Sequence, residues 1–214
     1  EKQQGTFTFL MNKGFRNEFD RGGIQHGLKA FIQEFNLGEA RLMIKFNPAY
    51  VMPPEQLQEI ITRYAQEAGK PIIPEIQVNY EAIEMKDLRK LYNQCDVFLN
   101  PTEGEAFSLP CIEAMACGKP VITTNFGGQI DYITQQNGWL INYELHEIKH
   151  EIMYEGINWA LPNLNSLKNT MKYVTIETEK VFEKGIKAIE TACNYTWDNS
   201  AKKATNYLNL LEYK

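Results

Sequence analysis

Apolar residues follow two alternating spacings along most of this chain. Short runs rich in apolar and β-favouring residues predict buried strands at residues 6–11 (TFTFLM), 41–46 (RLMIKF), 71–78, 96–99, 121–123 and 138–141. Between them, helical spacing predicts helices carrying Ile24, Leu28, Phe31 and Ile32, then Ile60, Ile61, Tyr64 and Ala65, then Leu88, Leu91 and Tyr92. Pro53-Pro54 opens the second of these and Gly69 closes it. After the last strand, helical patterns continue around 152–159, 163–174, 178–192 and 197–211. The alternation predicts an α/β fold: a doubly wound, Rossmann-like, mostly parallel sheet of about six strands, helices on both faces, and a helical C-terminal tail.

Residues 96–133, DVFLNPTEGEAFSLPCIEAMACGKPVITTNFGGQIDYI, hold the densest pattern. The strand 96–99 runs into a polar loop, Thr102-Glu103-Gly104-Glu105. A helix follows with Ser108 as N-cap, Pro110 in its first turn, Leu109, Ile112, Glu113 and Met115 along it, and Gly118 then Pro120 as its stop. The next strand leads to Gly127-Gly128, which opens a further helix bearing Ile130 and Ile133. A helix N-terminus offers unpaired N–H groups and the positive end of a dipole, and glycines let the backbone come close, so two such turns side by side suit a diphosphate. Glu105 in the loop and Glu113, roughly 6 Å further along the helix axis, would repel phosphates. Hydroxyl groups flanking a diphosphate are their natural targets.

The order Glu105-Ala-Phe-Ser-Leu-Pro-Cys-Ile-Glu113, then Ala-Met-Ala-Cys-Gly-Lys-Pro-Val-Ile, then Gly127-Gly128 resembles the donor-binding signature of the retaining group 1 glycosyltransferases, glycosyltransferase family 4, of GT-B fold. The resemblance runs from about Thr6 to the C-terminus. It implies that Glu105 contacts hydroxyls of a transferred hexose, that Glu113 holds the ribose hydroxyls, and that amides of Phe107, Ser108 and Leu109 face the sugar and diphosphate. Ala106 and Ser108 stand where the family often has Gly. The family places an Arg and a Lys after the first strand to neutralise the departing diphosphate. Here Arg16 and Arg21 match that spacing, an alternative register makes Arg21 the first cation with Gly22 in the second place, and Lys13 is a further candidate. The base is expected beside Val78, Asn79 and Tyr80, read largely through backbone groups.

Composition adds boundaries. The chain has 214 residues, 43% hydrophobic and 23% charged, which suits one large soluble-type α/β domain. A net charge of −5 gives no overall attraction to nucleic acid or an anionic membrane. No apolar run approaches the roughly 20 residues that span a bilayer. Cys95, Cys111, Cys117 and Cys193 fit no zinc spacing, and free thiols in a reducing, cytoplasmic compartment are expected. His146-Glu147-Ile148-Lys149-His150 matches H-E-x-x-H, which on a helix puts two imidazoles on one face for zinc. Its setting, a polar segment after the core unit with no further His, favours surface histidines.

The resemblance therefore implies the donor half of a hexosyltransferase: one nucleotide-sugar-binding domain, residues 1–214, with helices at about 163–214 that pack toward a missing N-terminal domain. Its start, Glu-Lys-Gln-Gln-Gly, reads as a cut near an interdomain linker. The donor would be a nucleotide diphosphate sugar such as a UDP- or GDP-sugar, with no cofactor and no metal. The acceptor, a glycan, lipid or protein, would be met through the missing domain, as would any peripheral membrane contact. A GT-B epimerase or phosphorylase, or a non-catalytic nucleotide- or glycan-binding module, would share these features.

Overall fold

A computed structural model describes residues 5–149 and 156–212. Six strands form one parallel sheet in the order β3-β2-β1-β4-β5-β6. They are β1 (Thr8–Phe15), β2 (Arg41–Val51), β3 (Glu75–Asn79), β4 (Val97–Asn100), β5 (Val121–Thr124) and β6 (Gly138–Ile141). The order reverses between β1 and β4, the place where doubly wound sheets open a crevice at their carboxyl edge. Helices α1 (Ile24–Glu34), α2 (Pro54–Glu67), α3 (Met85–Tyr92) and α4 (Leu109–Ala116) connect the strands. Parallel strands covered on both faces are buried along their length, as β4 and β5 are at every position, their Asn100 and Thr123 side chains bonded to each other.

Two apolar layers flank the sheet. Phe9, Met11, Leu42, Ile44 and Phe46 point into one, together with α1 and α2. Leu10, Phe98 and Val121 point into the other, against Cys111, Ala114 and Met115 of α4. The period of two along β1, with Leu10 on one face and Phe9 and Met11 on the other, follows from strand geometry. Helices α5 (Leu164–Ile176) and α6 (Thr178–Ala192) close the domain, burying Leu167, Met171 and Val174, and Val181, Ala188 and Ala192. Helix α7 (Trp197–Glu212) carries its apolar side chains outward: Trp197, Leu208 and Leu210 are all more than half exposed.

Four expectations need correction. The first strand continues past Met11 to Phe15, so Asn12 and Lys13 are strand residues and not loop. The third begins at Glu75, because Pro71 and Pro74 have no N–H to give a ladder. The glycine pair opens only a single 3-10 turn, Gly128–Asp131. Where a helix was expected around 152–159, residues 158 and 159 belong to β8 (Asn158–Pro162), which pairs antiparallel with β7 (Tyr143–Glu147). Residues 156 and 157 lead into β8 outside any helix, and 152–155 lie outside the described residues.

Candidate active site

Strand β1 delivers the first polar groups to the crevice. Lys13, near its carboxyl end, directs Nζ to Glu105 Oε2 at 2.7 Å, a partly buried ion pair across the sheet edge. Glu105 lies in the loop from β4 to α4, as the sequence placed it. Arg21, in the segment before α1, donates from Nη1 to Gly104 O at 3.1 Å, and its own carbonyl accepts from Glu103 N and Thr102 Oγ1, both at 2.8 Å. Arg16 is exposed, with its guanidinium 5.5 Å from the centre of the Tyr50 ring. Lys13, Arg16, Arg21, Glu105, Phe107, Ser108 and Leu109 together line one open cavity of about 590 Å³. The structure thus brings all three candidate cations to one cavity with Glu105 and the start of α4, and of the three Lys13 is the one that contacts the carboxylate.

The turn into α4 is held under strain. Ser108 adopts φ 65°, ψ 78°, the only positive φ of a non-glycine residue among those described, and its hydroxyl caps no amide, contacting Cys111 Sγ at 3.2 Å instead. That conformation favours Gly and costs other residues of order 1 kcal/mol. It turns the chain so that Ser108, Leu109 and Pro110, at the positive end of the α4 dipole, line the cavity, while the N–H groups of Cys111 and Ile112 donate back to Ser108 O. The Tyr132 hydroxyl steadies the turn from behind, 2.5 Å from the Phe107 carbonyl and 3.0 Å from that of Ser108. The Phe107 ring packs on Tyr132 and Tyr195, with centroids 5.0 and 6.1 Å away.

Gly127 and Gly128 are placed against this loop rather than along the cavity wall. Gly128 N donates to Glu105 O at 2.9 Å, and a Cβ there would fall 1.7 Å from Ala106 O. Close backbone approach, expected toward a phosphate, is here used to support the loop that carries Glu105.

Glu113 sits one turn into α4, half-buried, and accepts from the Tyr92 hydroxyl at 2.7 Å. Asn12 Nδ2 donates to the same hydroxyl at 3.2 Å. Burial, and then the hydrogen bond to the Glu113 carboxylate, push the Tyr92 phenol well above its ordinary value, so it remains a donor that fixes Glu113. Val78 and Asn79 lie apart from the Glu105 cavity, lining a neighbouring one of about 540 Å³ between β2, β3 and α3.

Glu103 is the site neighbour that the sequence did not reveal. Its carboxylate is almost fully buried and bridges two imidazoles, His26 Nε2 at 2.7 Å and His146 Nε2 at 2.8 Å. Burial works to raise its pKa, but the hydrogen bonds and charges of His26 and His146 outweigh burial and hold it below the usual carboxylate range. Ala160 N donates to Glu103 O at 2.8 Å, so α1, the Glu105 loop and the β7–β8 hairpin are joined here. His146 therefore stands on a strand and serves as a hydrogen-bond partner, not on a helix as H-E-x-x-H would need, and His150 lies outside the described residues. Among the described residues no group of three or more His, Cys, Asp or Glu is arranged to hold a metal ion. Asn12 and Tyr92 were likewise missed, since one was read as loop and the other as helix face. Among the described residues no helix is long and apolar enough to cross a membrane, and Cys95 and Cys111 are buried.

Solved structures share this architecture. The C-terminal domain of a glycosyl transferase group 1 family protein, LpcC, from Francisella tularensis superposes with a TM-score of 0.64 at 14% identity, covering 89% of this chain and 86% of that one. Anabaena HepE, solved with UDP and glucose, gives 0.63 at 18% identity over 96% of this chain and 48% of HepE. These likenesses establish the fold, which is that of GT-B C-terminal domains. In sequence, the serotype-specific mannosyltransferase WbdA of Escherichia coli is 25% identical over 181 residues, 83% of this chain and 19% of WbdA. The chain spans about a quarter or less of the length of the curated relatives it matches. Residues 67–173, half of the chain and including both Glu105 and Glu113, match the model of the glycosyl transferases group 1. With that match set beside the Glu-x7-Glu loop and the parallel sheet that presents it, the chain belongs to the group 1 glycosyl transferases.

Proposed function

We propose that this chain is the donor-binding domain of a retaining glycosyltransferase of family 4. It would take a hexose from a nucleotide diphosphate sugar, a UDP- or GDP-sugar, and pass it to a glycan, lipid or protein acceptor bound by a further domain. The observation that carries the proposal is the gathering of Lys13, Arg16 and Arg21 with Glu105 and the N-terminus of α4 in one open cavity, Lys13 in contact with the carboxylate. The HepE structure, which holds UDP and glucose on the same fold, supports this reading.

In this reading the diphosphate rests between the α4 amides and the three cations. As the bond to the hexose breaks, negative charge grows on the leaving oxygen, and preorganised positive groups in a crevice lower the barrier without a metal ion. Glu105 orients the hexose through its hydroxyls. Lys13 neutralises the carboxylate so that it does not repel the phosphates. Glu113, fixed by Tyr92, holds the ribose. Neither carboxylate serves as a nucleophile, since each is already engaged by a positioned donor. The helix α7, with its outward apolar side chains, would pack against the acceptor domain.

The test is product analysis. The protein, joined to its acceptor-binding part and supplied with UDP- and GDP-hexoses in the presence of EDTA, should transfer sugar and keep the anomeric configuration seen in the donor. An inverted product, or activity that EDTA abolishes, would overturn the retaining or the metal-independent part respectively.

A further inference from the structure

The cavity beside Val78 and Asn79 contains a charge that nothing above uses. Lys45 is 5% exposed, the one lysine in the buried class among the described residues. Among the described residues its ammonium has a single polar partner, the carbonyl of the adjacent Phe46, and two of its three N–H groups are left for another acceptor. The two carboxylates lining the same cavity are already taken: Glu84 pairs with Lys86 and Asp87 with Lys90. A buried ammonium without a carboxylate is costly, and burial holds the Lys45 pKa below the ordinary lysine value.

The sheet register shows what this charge faces. Lys45 pairs with Asn12 on β1 and with Asn79 on β3, so the three residues form a row across the carboxyl edge of the sheet with side chains on one face. Strands lie about 4.8 Å apart, so the row spans about 10 Å. At one end Asn12 lines the Glu105 cavity and, through Tyr92, meets the group assigned to the ribose. At the other end Asn79 marks the expected base position, and Leu10, Met43, Ile83 and Leu91 supply apolar walls around Lys45. A nucleoside extending from the diphosphate site past Glu113 would bring its heterocycle over Lys45.

We propose that Lys45 reads the nucleobase of the donor by donating to a ring carbonyl oxygen, so that the site takes a uracil or guanine diphosphate in preference to an adenine one. The inference rests on the donor-site reading and adds the residue that selects the base. Uracil and guanine each offer a carbonyl to the ammonium. Adenine has none, and its exocyclic group is an amino donor, which would oppose donor to donor in a buried place. A site built around one hydrogen bond rejects the analogue that lacks it because its own group is then left unpaired.

The experiment is calorimetric titration of the 214-residue chain and its Lys45→Met variant with UDP, GDP and ADP. The chain should bind UDP or GDP about 10- to 100-fold more tightly than ADP, the range set by one hydrogen bond from a charged donor. Lys45→Met should bring the three within about threefold of one another by weakening the preferred one, and Lys45→Gln, which keeps a neutral donor, should retain part of the preference. Its melting temperature should equal or exceed that of the parent, since Met removes a buried charge, which keeps loss of folding from imitating loss of binding. An equal loss for all three diphosphates would place the ammonium on a phosphate and overturn the proposal. So would an unchanged preference, or a parent that prefers ADP. Failure of the folded parent to bind any of the three would overturn the donor-site reading itself, an outcome distinct from binding without base preference.

Discussion

Lys13 on β1 and Glu105 in the loop before α4 stand 92 residues apart in sequence and 2.7 Å apart in space. The lysine side chain is 9% exposed and the carboxylate 23%, so solvent only partly screens the pair. The contact places a carboxylate next to the turn proposed to bind the diphosphate without presenting a bare negative charge. Replacing Lys13 with Ala should therefore weaken free nucleotide diphosphate about tenfold or more, the effect of losing one charged hydrogen bond to the ligand and uncovering Glu105. Titration of the variant checks this. Unchanged affinity would assign neutralisation to Arg16 and Arg21 alone.

The Tyr92 hydroxyl is the only side-chain donor on Glu113 among the described residues. Tyr92→Phe keeps the buried ring and removes one hydrogen bond, worth about 1 kcal/mol. Binding of free nucleotide should fall about fivefold, with the additional affinity contributed by the sugar unchanged. A loss confined to the sugar-bearing donor would reverse the roles given to the two carboxylates.

Ser108 and Gly128 should respond in opposite directions to a change at Cβ. Ser108→Gly relieves the φ of 65° and should raise stability by about 1 kcal/mol, less the weak contact with Cys111. Gly128→Ala would put a methyl 1.7 Å from Ala106 O, forcing the Glu105 loop outward and weakening donor binding more than tenfold. Thermal melts and titrations of both variants check the pair of outcomes.

Glu103 links stability to acid. Its folded pKa lies below the ordinary glutamate value, held there by His26 and His146 against the effect of burial, so the ionised form is the one the fold stabilises. That contribution is fully present above about pH 4.5 and is lost as pH falls through the lower folded value. Glu103→Ala should cost about 2 kcal/mol at pH 7, by leaving His26 and His146 without their shared acceptor, and should flatten the acid limb of the stability curve. Denaturant melts between pH 3 and 7 measure this; a parallel acid limb in the variant would contradict it.

The six-stranded sheet was legible because its strands are apolar runs broken by helical spacing, a pattern that burial on both faces imposes. Glu105, Glu113 and the start of α4 were legible for a local reason, since they share one loop and one helix. The β7–β8 hairpin was not, because Tyr143–Glu147 is mostly exposed and polar and so carries no strong alternation. Contacts formed by folding alone were also hidden: the His26–Glu103–His146 bridge draws on three separate segments, and the Asn12–Tyr92–Glu113 chain on three more. Lys45 did leave a mark, a cation inside the run RLMIKF, whose meaning appears only once β2 is placed between β1 and β3.

The donor site is tested most directly by titrating the chain and its Glu105→Ala variant, without metal, with a free nucleotide diphosphate and with the same nucleotide bearing its hexose. The account predicts that the parent binds both and favours the sugar-bearing form, and that Glu105→Ala loses that preference while free diphosphate binds as tightly as before or more so. Equal losses for both ligands, or a variant that retains the full preference for the sugar, would contradict the assignment of Glu105 to the hexose and with it the site proposed here.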